Sequence, residues 1–202
     1  MPDSPTLVAL SSVGLIETVD GLNALQTLIP RKATEAPPNT YSGNFGTDDF
    51  PLHTDLAHWA IPPRYLALRC IKGQESVATR IVDGRCVETE FGVDVLRTVL
   101  VQSRRPLKHG KQLLNLLDRI ALTQQFRLRW DSLYLVPATR QSKQLFEEIK
   151  RFLDILKPTE FVLRARGDTL LIDNWRCLHG RAAISKNAQA RHVDRAYMSS
   201  IS

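Results

Sequence analysis

Three side chains in the segment LHTDLAH (52–58) are equipped for chemistry: His53, Asp55 and His58. On an extended strand, residues two apart point to the same side. His53 and Asp55 would then present an imidazole and a carboxylate together. Two donors do not close a metal site, and a third is offered by His179 in LLIDNWRCLHGR (170–181), after an apolar run and just before Gly180. Two histidines and one carboxylate on one face leave three positions of an octahedral ion open. That is the donor set of non-haem Fe(II) centres that activate oxygen.

An HxD triplet arises often by chance, so weight falls on what accompanies it. RHVDR (191–195) places Arg191 and Arg195 four residues apart, on one face if the segment is a strand. A guanidinium is a planar fork that grips a carboxylate through two parallel hydrogen bonds and keeps its charge when partly buried. Beside an Fe(II) with open positions, it could hold the far carboxylate of a 2-oxo dicarboxylate whose other end chelates the metal. The plainer alternative pairs Arg191 and Arg195 with Asp194 or with glutamates on a sheet edge. His58 would leave the Asp55 face and reads as a surface or supporting residue. His109, in a basic turn, reads as solvated, and His192 falls on the other face from Arg191.

These residues need elements to carry them. RYLALRCIK (64–72) alternates like a strand, FRLRWDSLYLVPAT (126–139) alternates until Pro137, and residues 160–183 read as two strands around a Gly167–Asp168 turn. Residues 190–200 make a last strand. QSKQLFEEIKRFLDILKP (141–158) is the clearest amphipathic helix, with Leu145, Ile149, Phe152, Leu153 and Leu156 on one face. Residues 14–30, closed by Pro30, predict an N-terminal helix; 31–49 is a long loop. Residues 92–105 fit helix or strand, and 111–122 a helix or mixed element. The sum is a mainly β fold, a sandwich or barrel flanked by helices.

Four segments, in order, make residues 41–200 resemble the taurine dioxygenase-like (TauD/TfdA) branch of Fe(II)/2-oxoglutarate-dependent dioxygenases, whose relatives include clavaminate synthase-like enzymes. They are LHTDLAHWAIPPRYLALRC, GQESVATR (73–80), GDTLLIDNWRCLHGR (167–181) with its Asp173–Asn174 pair, and RHVDRAYM (191–198). The resemblance implies a double-stranded β-helix (a jelly-roll, cupin-like barrel). It also implies Fe(II) held by His53, Asp55 and His179, with 2-oxoglutarate and O2 as cosubstrates. It assigns the distal carboxylate of 2-oxoglutarate to Arg191 and Ser76, and gives Arg195 to the cosubstrate or to an anionic group of the substrate. The reaction implied is oxidation, most often hydroxylation, of a C–H bond with release of succinate and CO2. Because Asp55 is a carboxylate, the halogenase variant of the site is disfavoured. The chain is short for this family: its N-terminal part and lid are reduced, and Gly73–Gln74 replaces a Gly-Gly pair.

The 202 residues suit one domain, 1–202, and the hydrophobic (43%) and charged (24%) fractions are those of a globular chain. The net charge of +6 is scattered, which favours a solvated surface or an anion pocket over a nucleic-acid footprint. Cys70, Cys86 and Cys177 are odd in number and lack CxxC spacing, pointing to a reducing, cytoplasmic setting without disulfides. No signal peptide or membrane span is expected. The substrate would be a small molecule, an amino acid or other carboxylate, with Tyr41, Asn44, Asp49 and Trp59 as candidate contacts. A homo-oligomer that completes the lid stays open. So do two rival classes, a catalytically silent metal-binding jelly roll and a basic nucleic-acid binder.

Overall fold

The computed structural model describes residues 4–107, 110–121 and 123–202, so His109 lies outside the described residues. In chain order, α1 (Pro5–Ser11), β1 (Gly14–Glu17) and β2 (Gln26–Leu28) precede α2 (Tyr41–Phe45) and β3 (Phe50–His53). Then follow β4 (Tyr65–Lys72), β5 (Thr79–Asp83), α3 (Arg85–Phe91), α4 (Val93–Thr98) and β6 (Leu100–Ser103). Short strands β7 (Leu113–Asn115), β8 (Leu117–Arg119), β9 (Phe126–Leu128) and β10 (Leu135–Pro137) lead to α5 (Arg140–Ile155). The chain ends with β11 (Thr159–Phe161), β12 (Thr169–Asp173), β13 (Cys177–Arg181) and β14 (His192–Ile201).

Two antiparallel sheets face each other as a jelly roll. One runs β1–β14–β4–β12, with β2 also on β14; the other runs β11–β5–β13–β3. Between them lie Leu66, Leu68 and Cys70 of β4, Ile172 of β12, and Val193 and Tyr197 of β14, with Ile81 and Cys177 packed against them. On the outer face of the first sheet, Ala67, Ala196 and Met198 meet Leu10 of α1. On the outer face of the second, Val82 and Leu178 join Trp130, Phe146, Ile149 and Leu153, so α5 covers that sheet. Alternate residues of β4, β13 and β14 thus serve different cores, as the two-residue period of a strand requires.

The helix expected over 141–158 is α5, capped by Thr139, whose hydroxyl accepts from Ser142 N–H. Leu145, Ile149, Phe152, Leu153 and Leu156 all reach the core, and Phe146, stacked on Trp130 at 4.5 Å, joins them. The expected strands at 64–72 and 190–200 are β4 and β14. Residues 92–105 hold both alternatives in turn, α4 and then β6.

Five expectations are corrected. The segment 14–30 is no helix: its apolar spacing is broken at Gly21, which turns with φ +76°, and β14 offers both β1 and β2 a strand edge. Residues 31–49 contain a 3-10 turn (Ala33–Glu35) and α2, capped by Thr40. The described part of 111–122 forms β7 and β8, and 126–139 is two strands separated by a turn in which Asp131 Oδ1 accepts from Leu133 and Tyr134 N–H. The strands of 160–183 do not pair with each other. After the Gly167–Asp168 turn, β12 joins β4, and β13 crosses to β5 and β3 in the other sheet. That crossing puts His179 beside His53, a choice made by long-range pairing.

Leu178, fully buried on the outer face one residue before His179, anchors β13 under α5. Leu178→Ala should cost about 2–5 kcal/mol of unfolding free energy in urea denaturation. Truncating Ile155, 82% exposed, should cost about 0.5 kcal/mol or less.

Candidate metal centre

Strand register builds the site. His53, the last residue of β3, is directly opposite His179 of β13, and their ring centroids are 4.4 Å apart. The chain then leaves the sheet at Thr54, whose N–H reaches Trp130 O (2.7 Å), and Asp55 turns back toward the histidines. Asn174, fully buried, holds that turn: its Oδ1 accepts from Asp55 N–H (2.7 Å), and its Nδ2 donates to Asp55 O and Pro63 O. Leu56 follows at φ +54°, the left-handed region that a branched apolar residue enters at a cost.

Arg129 secures the next stretch. It is fully buried and donates to the carbonyls of Asn115, Ala57, Trp59 and Ala60 while pairing with Asp118. Every charge-bearing nitrogen is thereby used, which makes the burial tolerable.

The result is a convergent set of donors. Asp55 Oδ1 lies 3.4 Å from His53 Nε2 and 3.5 Å from His179 Nε2, and all three side chains are under 9% exposed. One donor atom from each lies within 4.8 Å of the others. His53 Nδ1 sits 2.9 Å from Pro51 O; a carbonyl can only accept, so the proton is on Nδ1 and the Nε2 lone pair faces Asp55. Distances of 3.4 and 3.5 Å are long for hydrogen bonds. Cis donors on an ion with bonds of about 2.1 Å lie about 3 Å apart, close to this spacing. The donor types and their convergence fit a divalent cation.

The electrostatics agree at Asp55 and His179. Burial alone would raise the Asp55 carboxyl, but Arg195, His179 and His53 hold it well below the usual carboxylate range. Burial and the neighbouring His53 push His179 down, toward the neutral, ligating form. Burial opposes protonation of His53, but Asp55 and then Asp131 outweigh it and shift that imidazole upward.

The other expected site residues separate into distinct positions. Arg191 is 7% exposed, and among the described residues no carboxylate reaches its guanidinium. Burial lowers its pKa, and the neighbouring Arg181 is itself pulled down to about 10 by burial and by Arg191. Arg181 donates to the Gly46 and Asp48 carbonyls and lies over the Phe50 ring, 3.6 Å from its centroid. Arg191, buried, and Arg181, half-buried with Asp48 and Asp49 nearby, concentrate positive charge at this end of the sheet.

Arg195 is not there. It donates to Asp55 Oδ2 (3.0 Å) and to Gln26, so its charge is already engaged. Ser76 is exposed on a turn, whereas Thr79, 4% exposed, stands directly opposite Arg181 across β5 and β13. Thr79 is therefore the hydroxyl on the Arg181 face of the sheet. The signal for it was the alternation of ATRIVD, which puts Thr79 and Ile81 on one face.

Among the candidate substrate contacts, Tyr41 stacks on His53 (4.0 Å between centroids), and its hydroxyl faces Asp131 without a closed hydrogen bond. Trp59 packs into the core between the sheets. Asn44 is exposed and donates to Thr40 O. Asp49 is exposed, accepts from Ala183 N–H and pairs with Arg80, which ties the α2–β3 loop to β5 and to the segment after β13. His58 is half-buried near Tyr134 and outside the donor set, and His192 pairs with Asp194. A cavity of about 330 Å³ lies elsewhere, lined by Ser4, Thr6, Arg69 and Asp194.

No family model matches the chain, and no curated protein matches its sequence. Solved structures match in fold. An asparagine oxygenase in complex with Fe(II), hydroxyasparagine and succinate superposes with TM-score 0.67 at 18% identity, over 87% of this chain and 57% of that one. The non-heme iron oxygenase OrfP with Fe and alpha-ketoglutaric acid gives 0.69 at 20% identity, over 96% and 64%. PvcB of Pseudomonas aeruginosa gives 0.65 at 18%, over 98% and 72%. The chain thus spans 57% of the length of the first of these structures. At such identities the likeness speaks for the jelly-roll fold.

The two buried arginines should answer differently to truncation. Arg191→Met removes a desolvated charge without a partner and should raise the unfolding free energy of the ligand-free protein by about 1 kcal/mol. Arg129→Met leaves four carbonyls without their donor and takes from Asp118 one of its two arginine partners, Arg127 remaining, and should lower it by about 3–5 kcal/mol. Thermal and urea unfolding of both variants checks this.

Proposed function

We propose that this chain is an Fe(II)- and 2-oxoglutarate-dependent oxygenase that oxidises a C–H bond of a small molecule. The observation that carries the reading is the pairing of two features: the buried His53–Asp55–His179 donor set, and Arg191, a buried cation with no carboxylate partner among the described residues. His53 and His179 would hold Fe(II) through Nε2, and Asp55 through Oδ1. Fe(II) bound there, with 2-oxoglutarate and O2, supplies the oxidising power, and succinate and CO2 are the by-products.

The chain's own residues do the positioning. Arg191 grips the distal carboxylate of 2-oxoglutarate as a fork, Thr79 offers a hydroxyl, and Arg181 adds positive potential beside it. Burial of all three donors keeps water from the reacting atoms. Tyr41, stacked on His53, forms one wall of the substrate space. An amino acid or related carboxylate is the substrate class, most simply hydroxylated. In support, solved neighbours carry hydroxyasparagine and (3S)-hydroxy-L-Arg, and one is described as an Fe, alpha-ketoglutarate dependent oxygenase from an isonitrile synthetic pathway. Among the described residues no helix is long and apolar enough to cross a membrane, and the free thiols of Cys70, Cys86 and Cys177 suit a reducing compartment such as the cytoplasm.

Anaerobic addition of Fe(II) and 2-oxoglutarate should produce the weak visible charge-transfer band of the chelate. His179→Ala should abolish it. Arg191→Met should require about 10–100-fold more 2-oxoglutarate to reach it, the worth of a charge-assisted contact. No band from folded, iron-loaded wild type would overturn the proposal.

A further inference from the structure

Asp55 uses its two oxygens differently. Oδ1 faces both histidines, whereas Oδ2 accepts from Arg195 Nη1 at 3.0 Å and from the Tyr197 hydroxyl at 2.9 Å. Arg195 and Tyr197 are two apart on β14 and share its inward face, and Tyr197 is 2% exposed. Gln26 of β2 steadies the far side of the Arg195 guanidinium. The donors on Oδ2 therefore come from one sheet and the histidines from the other.

We propose that Arg195 and Tyr197 are positioning residues that restrict Asp55 to a single ligating oxygen; the inference rests on the metal-centre reading above. A free carboxylate beside a divalent ion can chelate through both oxygens. Here chelation would need Oδ2 to turn toward the ion and break two hydrogen bonds, one of them to a cation. The pair so preserves a coordination position that a chelating Asp55 would occupy. It also assigns Arg195 to the metal ligand, where the family resemblance pointed to the cosubstrate or a substrate anion. Groups that hydrogen-bond a metal-binding carboxylate commonly change metal affinity by about 10–100-fold when removed.

Co(II) titration tests this, because Co(II) reports its coordination number through visible d–d absorption and needs no turnover. Tyr197→Phe deletes one hydroxyl and keeps the ring, so it is the variant least able to disturb folding. It should weaken Co(II) binding about 10-fold and alter the band, and Arg195→Gln should do so by about 10–100-fold. Arg195→Lys should recover part of the loss. A merely structural role would lower the melting temperature without moving the band. Tyr197→Phe and Arg195→Gln proteins that bind Co(II) within about twofold of wild type, with the same band, overturn the inference and leave the metal centre standing. Wild type that takes up no Co(II), or His179→Ala that binds as tightly as wild type, removes the metal centre itself and the positioning role with it.

Discussion

The Asp55 carboxylate is where the two sheets are made to agree. One oxygen faces histidines carried by β3 and β13; the other is bonded to Arg195 and Tyr197 of β14 in the opposite sheet. A buried carboxylate is costly unless it is met by charge and hydrogen bonds. Arg195 and the two imidazoles meet it, which is why its pKa falls although burial would raise it. Asn174 fixes its peptide, and Arg129 fixes the turn that follows. Remove the carboxylate and Arg195 is left as a second stranded cation.

A balance of charge runs through the rest of the interior. Arg129, Arg181, Arg191 and Arg195 are all drawn from water, but they are satisfied to different degrees. Arg129 is saturated by carbonyls and Asp118; Arg195 is neutralised by Asp55. Arg181 is bound to loop carbonyls, and Arg191 faces no carboxylate among the described residues. Arg129 reads as scaffold, whereas Arg195 is tied to the carboxylate of the donor set. An unanswered buried charge such as that of Arg191 lowers the stability of the folded chain, which is the ground on which a cosubstrate role is proposed for it.

Much of this was legible locally. The alternation of β4 and β14 and the amphipathic face of α5 depend on side chains whose neighbours in space are fixed by a single period, so the spacing of residues sufficed. Residues 14–30 misled for the same reason: a run compatible with a helix became two strands because β14 presented an edge, and edge pairing is not written in the segment itself. Ser76 was singled out by its motif, two residues beyond Gly73–Gln74; the structure leaves it exposed on a turn, and burial begins only at Val77, Ala78 and Thr79.

By itself the sequence determined the donor types and their order: HxD, a distant histidine, and an arginine twelve residues beyond it. Those follow from side-chain chemistry, which needs no coordinates. Tertiary structure alone decided which groups converge. The β3–β13 register set His179 against His53, the inward parity of β14 placed Arg195 and Tyr197 on Asp55, and β5–β13 pairing set Thr79 opposite Arg181. The physical reason is range. A strand's period of two tells which residues share a face, whereas the partner across the sheet or between sheets is chosen by pairing and packing among segments scores of residues apart.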